Sequence, residues 1–169
     1  MPVTIEQFRG TLRHWASGVS IVTTRRDGGI QAITVSSFSS VSLDPPLILV
    51  CIDHKARSHA TLAKERVFGV NILRDDQHEL SDLAAGRKGE RGAWLEGVAH
   101  TRAATGAPIL EDCLAWLDCA LVAQHEAGDH TICIGRVEAA GSSEGEPLLY
   151  HVSTYRRLRP RTRGGRKTR

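Results

Sequence analysis

The sequence predicts a mainly β fold, a closed or split antiparallel barrel with helices on its periphery. Apolar, β-branched runs recur at 19–25, 30–36, 47–52, 67–73, 114–127, 130–140 and 147–152, the mark of short strands. Tight-turn signals join several of them. A doubly wound nucleotide-binding sheet needs regular β–α alternation and a glycine fingerprint, and the chain has neither.

The elements follow in order. Thr4 and Gln7 form a capping-box pattern, which opens a helix. Ile5, Phe8, Leu12 and Trp15 share one face of it, and Gly18 is the expected stop. VSIVTTR (19–25) and IQAITVS (30–36) flank Asp27-Gly28-Gly29, a strand–turn–strand signal. The wholly apolar LILVCI (47–52) reads as a buried strand, followed by a short helix over 58–65 and a strand over 67–73. DDQHELSDLAAG (75–86) has acids at its start and Gly86 at its end, as a helix should. Residues 87–98 are glycine-rich and charged and predict a mobile loop. Two long strands, 114–127 and 130–140, meet at Ala127-Gly128-Asp129, and 147–152 is a last short strand.

A length of 169 residues fits one domain, assigned to 1–158. The net charge of +3 hides an asymmetry: RPRTRGGRKTR (159–169) carries six positive charges, so the remainder is about −3. The tail lacks apolar residues and is expected to be disordered. A net acidic domain makes nucleic acid an unfavoured partner. No apolar run approaches the ~20 residues of a membrane span. The first residues lack the apolar stretch of a secretory signal, so the expected location is the cytoplasm. Cys51, Cys113, Cys119 and Cys133 form no C-x-x-C pair and read as buried free thiols.

Three stretches carry candidate chemistry. Strand 30–36 points Ile33 and Val35 to one side and Ala32, Thr34 and Ser36 to the other. Small hydroxylated residues let a flat ligand approach the backbone and bond its polar edge; spacing alone favours a polar outer face followed by a turn. In CIDHKARSHATL (51–62), a strand end delivers Asp53, Lys55, Arg57 and Ser58 to a helix start, which suits a phosphate or a plain cap. Gly128-Asp129-His130 sits at a hairpin tip, where the turn explains the first two residues but does not require the histidine. No G-x-S-x-G, P-loop, H-x-x-x-H or H-E-x-x-H occurs, so no dedicated metal site is expected.

These stretches together resemble the flavin reductase-like domain proteins, the small reductase components of two-component flavin-dependent monooxygenases. The matching segments are FRGTLRHWASGVSIVTT (8–24), ITVSSFSSVSLDPPLILVCI (33–52), RSHATL (57–62), VFGVNIL (67–73), GAPIL (106–110), GDHTICIGRV (128–137) and PLLYHVSTY (147–155), in the family order. The resemblance implies an FMN-binding split barrel of Greek-key-like topology, assembled as a homodimer. It implies FMN or FAD along Gln31, Ala32 and Thr34, with Ser36 and Ser37 bonding the flavin. Asp53, Arg57 and Ser58 would lie by the ribityl chain and phosphate, with His130 at the nicotinamide and Tyr155 close to the same pocket. The implied reaction is reduction of flavin by NADH or NADPH, with the reduced flavin passing to a flavin-dependent monooxygenase. Two departures stand out: Ala56 replaces a serine common in relatives, and Trp94 stands in a loop that commonly carries phenylalanine.

Overall fold

The computed structural model describes residues 2–26, 29–86 and 92–158, apart from the side chain of Trp94. Asp27 and Gly28 of the first expected turn, residues 87–91 of the expected loop and the tail from Arg159 lie outside the described residues.

The elements are α1 (Ile5–Leu12), β1 (Ser17–Gly18), β2 (Ser20–Arg26), β3 (Gly29–Val35), β4 (Ser39–Leu43), β5 (Pro46–Asp53), α2 (Arg57–Glu65), β6 (Val67–Ile72), α3 (His78–Ala85), β7 (Ala93–Leu95), β8 (His100–Arg102), β9 (Pro108–Leu110), β10 (Ala115–Ala127), β11 (His130–Ser142), β12 (Leu149–His151) and β13 (Thr154–Arg156). Eight strands form one antiparallel sheet in the order β4-β5-β11-β10-β6-β2-β3-β7. The sheet curls on itself. Ile33 and Val35 of β3 share one buried cluster with Ile48, Val50 and Ile52 of β5, although four strands, β11, β10, β6 and β2, lie between β3 and β5 in the ladder. Phe68 of β6 fills the middle of that cluster, fully buried. Gly135 on β11 leaves room for its ring: a Cβ there would sit 2.5 Å from Phe68 Cζ. A second cluster joins Ile21, Ile30 and Ala32 of the sheet to Ala84 of α3 and Leu148.

Buried polar groups tie the outer segments to the barrel. Asn71 Nδ2 donates to the Ile21 carbonyl and to Thr23 Oγ1, both at 3.0 Å, while its Oδ1 accepts from Leu110 N at 2.8 Å. Interior amides are retained where each donor and acceptor finds a partner. Asp118, fully buried, accepts from Thr105 N at 2.7 Å and from the Thr105 hydroxyl.

Several expectations change. The helix from Thr4 keeps its capping box, with Gln7 N donating to Thr4 Oγ1 at 3.2 Å and Thr4 N to Gln7 Oε1 at 3.0 Å, but it ends at Leu12, well before Gly18. None of its residues is buried; Phe8 is 55% and Trp15 75% exposed. Residues 39–43 form edge strand β4, turned into β5 through a cis Asp44–Pro45 bond. Within the expected loop, Ala93–Leu95 pairs with β3 as β7, so the loop is shorter than predicted. The short β8–β9 pair has no counterpart among the expected strands. Cys113, Cys119 and Cys133 are buried free thiols, whereas Cys51 is half-buried.

Candidate flavin site

The site is built where β3, β5 and β11 end together. The register sets His130 of β11 opposite Asp53 of β5, and His54 N donates to the Asp129 carbonyl at 3.1 Å, which fixes the two tips against each other. A cavity of about 340 Å³ opens there, lined by Ile33, Thr34, Val35, Ser36, Ser37, Cys51, Asp53, Ala85 and His130. Five of the residues predicted for the site thus meet in one cavity: Thr34, Ser36, Ser37, Asp53 and His130.

Each hydroxyl has a different task. Thr34 Oγ1 donates to the Ser81 carbonyl of α3 at 2.6 Å, which fastens the site strand to the helix. Ser37 Oγ accepts from Cys51 N at 3.0 Å and donates to the Cys51 carbonyl at 3.1 Å. The β4–β5 pairing stops at Ser39 and Leu49, so Cys51 has no strand neighbour on that side, and the Ser37 hydroxyl stands in for one. Ser36 is exposed, and its hydroxyl makes no hydrogen bond among the described residues. It is the hydroxyl open to a ligand.

Asp53, buried at 6% exposure, accepts from Lys55 N at 2.7 Å. His130 Nδ1 lies 2.7 Å from the Asp129 carboxylate. A carboxylate partner makes Nδ1 the donor, which leaves Nε2 as the ring's other polar atom.

Arg57 and Ser58 begin α2. Its N-cap is Ala56, which supplies no side-chain hydrogen bond. The start of a helix without a side-chain cap is an arrangement that can receive a phosphate. Ser58 points inward with Leu62 and is fully buried, and its Oγ has no hydrogen-bond partner. A buried hydroxyl in that condition costs free energy. The helix start without a side-chain cap, Arg57 at its first position and the orphan Ser58 hydroxyl suit a flavin phosphate.

Like Arg57 and Ser58, three other predicted residues do not line the cavity. Gln31 and Ala32 are buried in β3; Gln31 Nε2 donates to the Ala93 carbonyl at 3.0 Å and so holds β7. Tyr155 faces a neighbouring hollow with Asp75, His78 and Leu148. Its hydroxyl is 2.5 Å from Asp82 Oδ1 and 3.0 Å from Ser81 Oγ. Burial, followed by the hydrogen bond to Asp82, pushes the Tyr155 phenol up to about 12. Tyr155 reaches the cavity through Ser81, whose carbonyl holds Thr34. Ser81, Cys51 and Ala85 are site residues that the sequence reading missed. The only trace of Ser81 is a polar residue on the face of helix 78–85 that also carries Ala84, the two being its buried residues.

Hydroxyls at one strand end and a histidine at a hairpin tip thus share a cavity on a β scaffold, with a helix start that lacks a side-chain cap following Asp53 in the chain. The model of the flavin reductase like domain matches residues 12–159, and the chain belongs to that family. Among its relatives, the NADH-dependent flavin reductase of a Rhodococcus species is 38% identical over 92% of this chain and 88% of its own. The reductase subunit HsaB of a flavin-dependent monooxygenase from Rhodococcus jostii (strain RHA1) is 34% identical over 91% of this chain and 78% of its own. Among solved structures, flavin reductase PheA2 in its native state superposes with a TM-score of 0.85 at 34% identity, covering 93% of this chain and 99% of that one.

Proposed function

We propose that the protein is an NAD(P)H:flavin oxidoreductase that reduces FMN or FAD and hands the reduced flavin to a flavin-dependent monooxygenase. The observation that carries this is the meeting of Ser36, Asp53 and His130 in one cavity next to the uncapped, Arg57-bearing start of α2. When both are bound, the nicotinamide and flavin rings supply the hydride transfer, and the protein's contribution is alignment. Ser36 and the backbone of β3 bind the polar edge of the flavin. Ser37 and Thr34, engaged with the backbone of β5 and α3, hold that edge in place. Asp129 orients His130, whose ring positions the nicotinamide at the cavity mouth. Arg57 and the first amides of α2 hold the phosphate.

We further propose a homodimer. Phe8 and Leu12 of α1 and Trp15 just beyond it are exposed apolar residues, and Leu43 at the tip of β4 is 95% exposed. This face continues into a hollow of about 350 Å³ lined by Trp15, Phe38 and Ile72, which shares Ser36 with the flavin cavity. Such continuous apolar surface marks an interface, and its continuity with the site suits a second copy of the chain. Sedimentation velocity should give twice the 18.4 kDa of one chain; a monomer throughout the micromolar range refutes it. No helix among the described residues is long and apolar enough to cross a membrane. The four free cysteines fit a reducing compartment, the cytoplasm.

The deciding assay mixes protein, FMN and NADH and follows absorbance at ~340 nm, the band of the reduced nicotinamide. Loss of that band together with flavin bleaching under anaerobic conditions is the expected result. Flavin binding without NADH oxidation would instead make the protein a non-catalytic flavin module. NADH oxidation only with a corrinoid or ferric complex would make it a reductase of another flavin-linked substrate.

A further inference from the structure

Strand β10 outruns its neighbour. It pairs with β6 only from Ala115 to Ala120, while its pairing with β11 runs on to Ala127. Arg66 supports the next residue, its carbonyl accepting from Leu121 N at 2.8 Å. Beyond that, the outer edge of residues 122–127 has no strand beside it among the described residues. Held on one side only, such a stretch shifts more readily than strands with two neighbours. Yet it leads into the turn on which the site depends. His130 is the last β11 residue in register with β5, and Asp129, which orients its ring, sits in that turn.

A polar network on the far face of β11 fastens this edge. Successive side chains of a strand alternate in direction: His130 lines the cavity, and Thr131, 1% exposed, points the other way. Thr131 Oγ1 donates at 3.2 Å to Oε1 of Glu126, its ladder partner on β10. A hydroxyl has one hydrogen to give, so the same oxygen accepts from His59 Nε2 of α2 at 2.8 Å. The other carboxylate oxygen, Glu126 Oε2, accepts from His54 Nε2 at 2.9 Å. The His54 and His59 rings meet edge to face, with centroids 5.2 Å apart. One carboxylate thus gathers β10, β11, the connection after β5 and, through Thr131, helix α2. His54 grips the hairpin twice, since its backbone N–H also donates to the Asp129 carbonyl. The Glu126 side chain is 75% exposed, and an exposed ion pair adds little to stability. Its leverage is geometric: the Glu126–Thr131 rung lies next to the Ala127–His130 rung that closes the hairpin.

We propose that Glu126 is a positioning residue for the reaction: through His54 and Thr131 its carboxylate clamps the hairpin tip to the body of the barrel and fixes where His130 meets the nicotinamide. This rests on the flavin-reductase reading and adds to it a residue outside the cavity.

The test measures kcat/KM for NADH with FMN and with FAD as acceptor, flavin affinity by fluorescence titration, and melting temperature. The proteins are the wild type, Glu126→Ala, Glu126→Gln and His54→Ala. Glu126→Ala should lower kcat/KM for NADH about three- to tenfold, the scale of a small displacement of an aligned group. Flavin affinity should stay within about twofold, and the melting temperature should fall by no more than about 3 °C. His54→Ala, which opens the clamp from the other side, should do the same. Glu126→Gln should recover most of the loss, because its amide oxygen still accepts from Thr131 and its NH2 can donate to an unprotonated ring nitrogen of His54. In a His130→Ala background, Glu126→Ala should cost less than about twofold more, because the clamp acts through His130. The full loss repeated in that background, no loss in either alanine variant, or a fall in flavin affinity that matches the fall in kcat/KM each overturns the clamp. A wild type that oxidises NADH with neither flavin fails the flavin-reductase reading itself, and the role of the clamp falls with it.

Discussion

Removing the Ser37 hydroxyl should show that this serine holds the site rather than contacts the ligand. In Ser37→Ala, two hydrogen bonds disappear, and Cys51 N and its carbonyl lose their partners at the point where β5 outruns β4. Cys51 is half-buried, so water reaches the freed groups in part, and each bond is worth the net value of a typical protein hydrogen bond. That gives a destabilisation of about 1–2 kcal/mol. For a chain of this size, the melting temperature should drop by roughly 3–6 °C. Thermal unfolding followed by circular dichroism, without ligand, measures it. Flavin affinity should fall only modestly, through loosening of the cavity wall. An unchanged melting temperature together with a large loss of flavin affinity would refute the positioning role and make Ser37 a direct ligand.

Three further outcomes follow from the same geometry. His130→Ala should lower NADH turnover by about 10–100-fold while changing flavin affinity little; loss of flavin affinity with normal turnover of bound flavin would contradict it. Arg57→Ala should weaken FMN about tenfold or more through a lost charge-assisted contact and leave riboflavin, which has no phosphate, nearly unaffected; equal losses would remove Arg57 from the phosphate site. Burial pushes the Cys119 thiol up to about 12 and the Cys133 thiol up to about 11. Above the ordinary thiol value of 9.0, the unfolded chain releases these protons while the folded chain keeps them. Stability should therefore fall as pH rises from 9 toward 11; in denaturant melts, Cys119→Ala/Cys133→Ala should flatten that slope, and an unaltered slope would count against the assignment.

What the sequence made legible was whatever its local physics expresses. Thr4 and Gln7 cap a helix because both partners lie within one turn, and Ala127-Gly128-Asp129 separates two strands that pair from Ala127–His130 onward. Strand β4 was hidden because serine is a weak strand former and because β4 is an edge strand. Of the apolar residues in the serine-rich stretch, Val41 and Leu43 are exposed, while Phe38 packs against the core. The face of α1 was visible in its periodicity, but periodicity does not tell what covers a face. Tyr155 and Ser81 lie far apart in the chain, and their hydrogen bond is set by tertiary packing that no local pattern encodes. Strands β7, β8 and β9 are three residues each, too short to display a period.

Ala56 gives α2 no cap of its own. A helix whose first acceptor comes from outside the chain makes ligand occupancy and local order a single equilibrium. The first turn is then a gauge of loading: amide exchange at Ser58 should slow when a phosphate is in place and quicken when it departs. A partner that favoured the frayed turn would draw flavin out of the protein from the phosphate end, without ever approaching the ring.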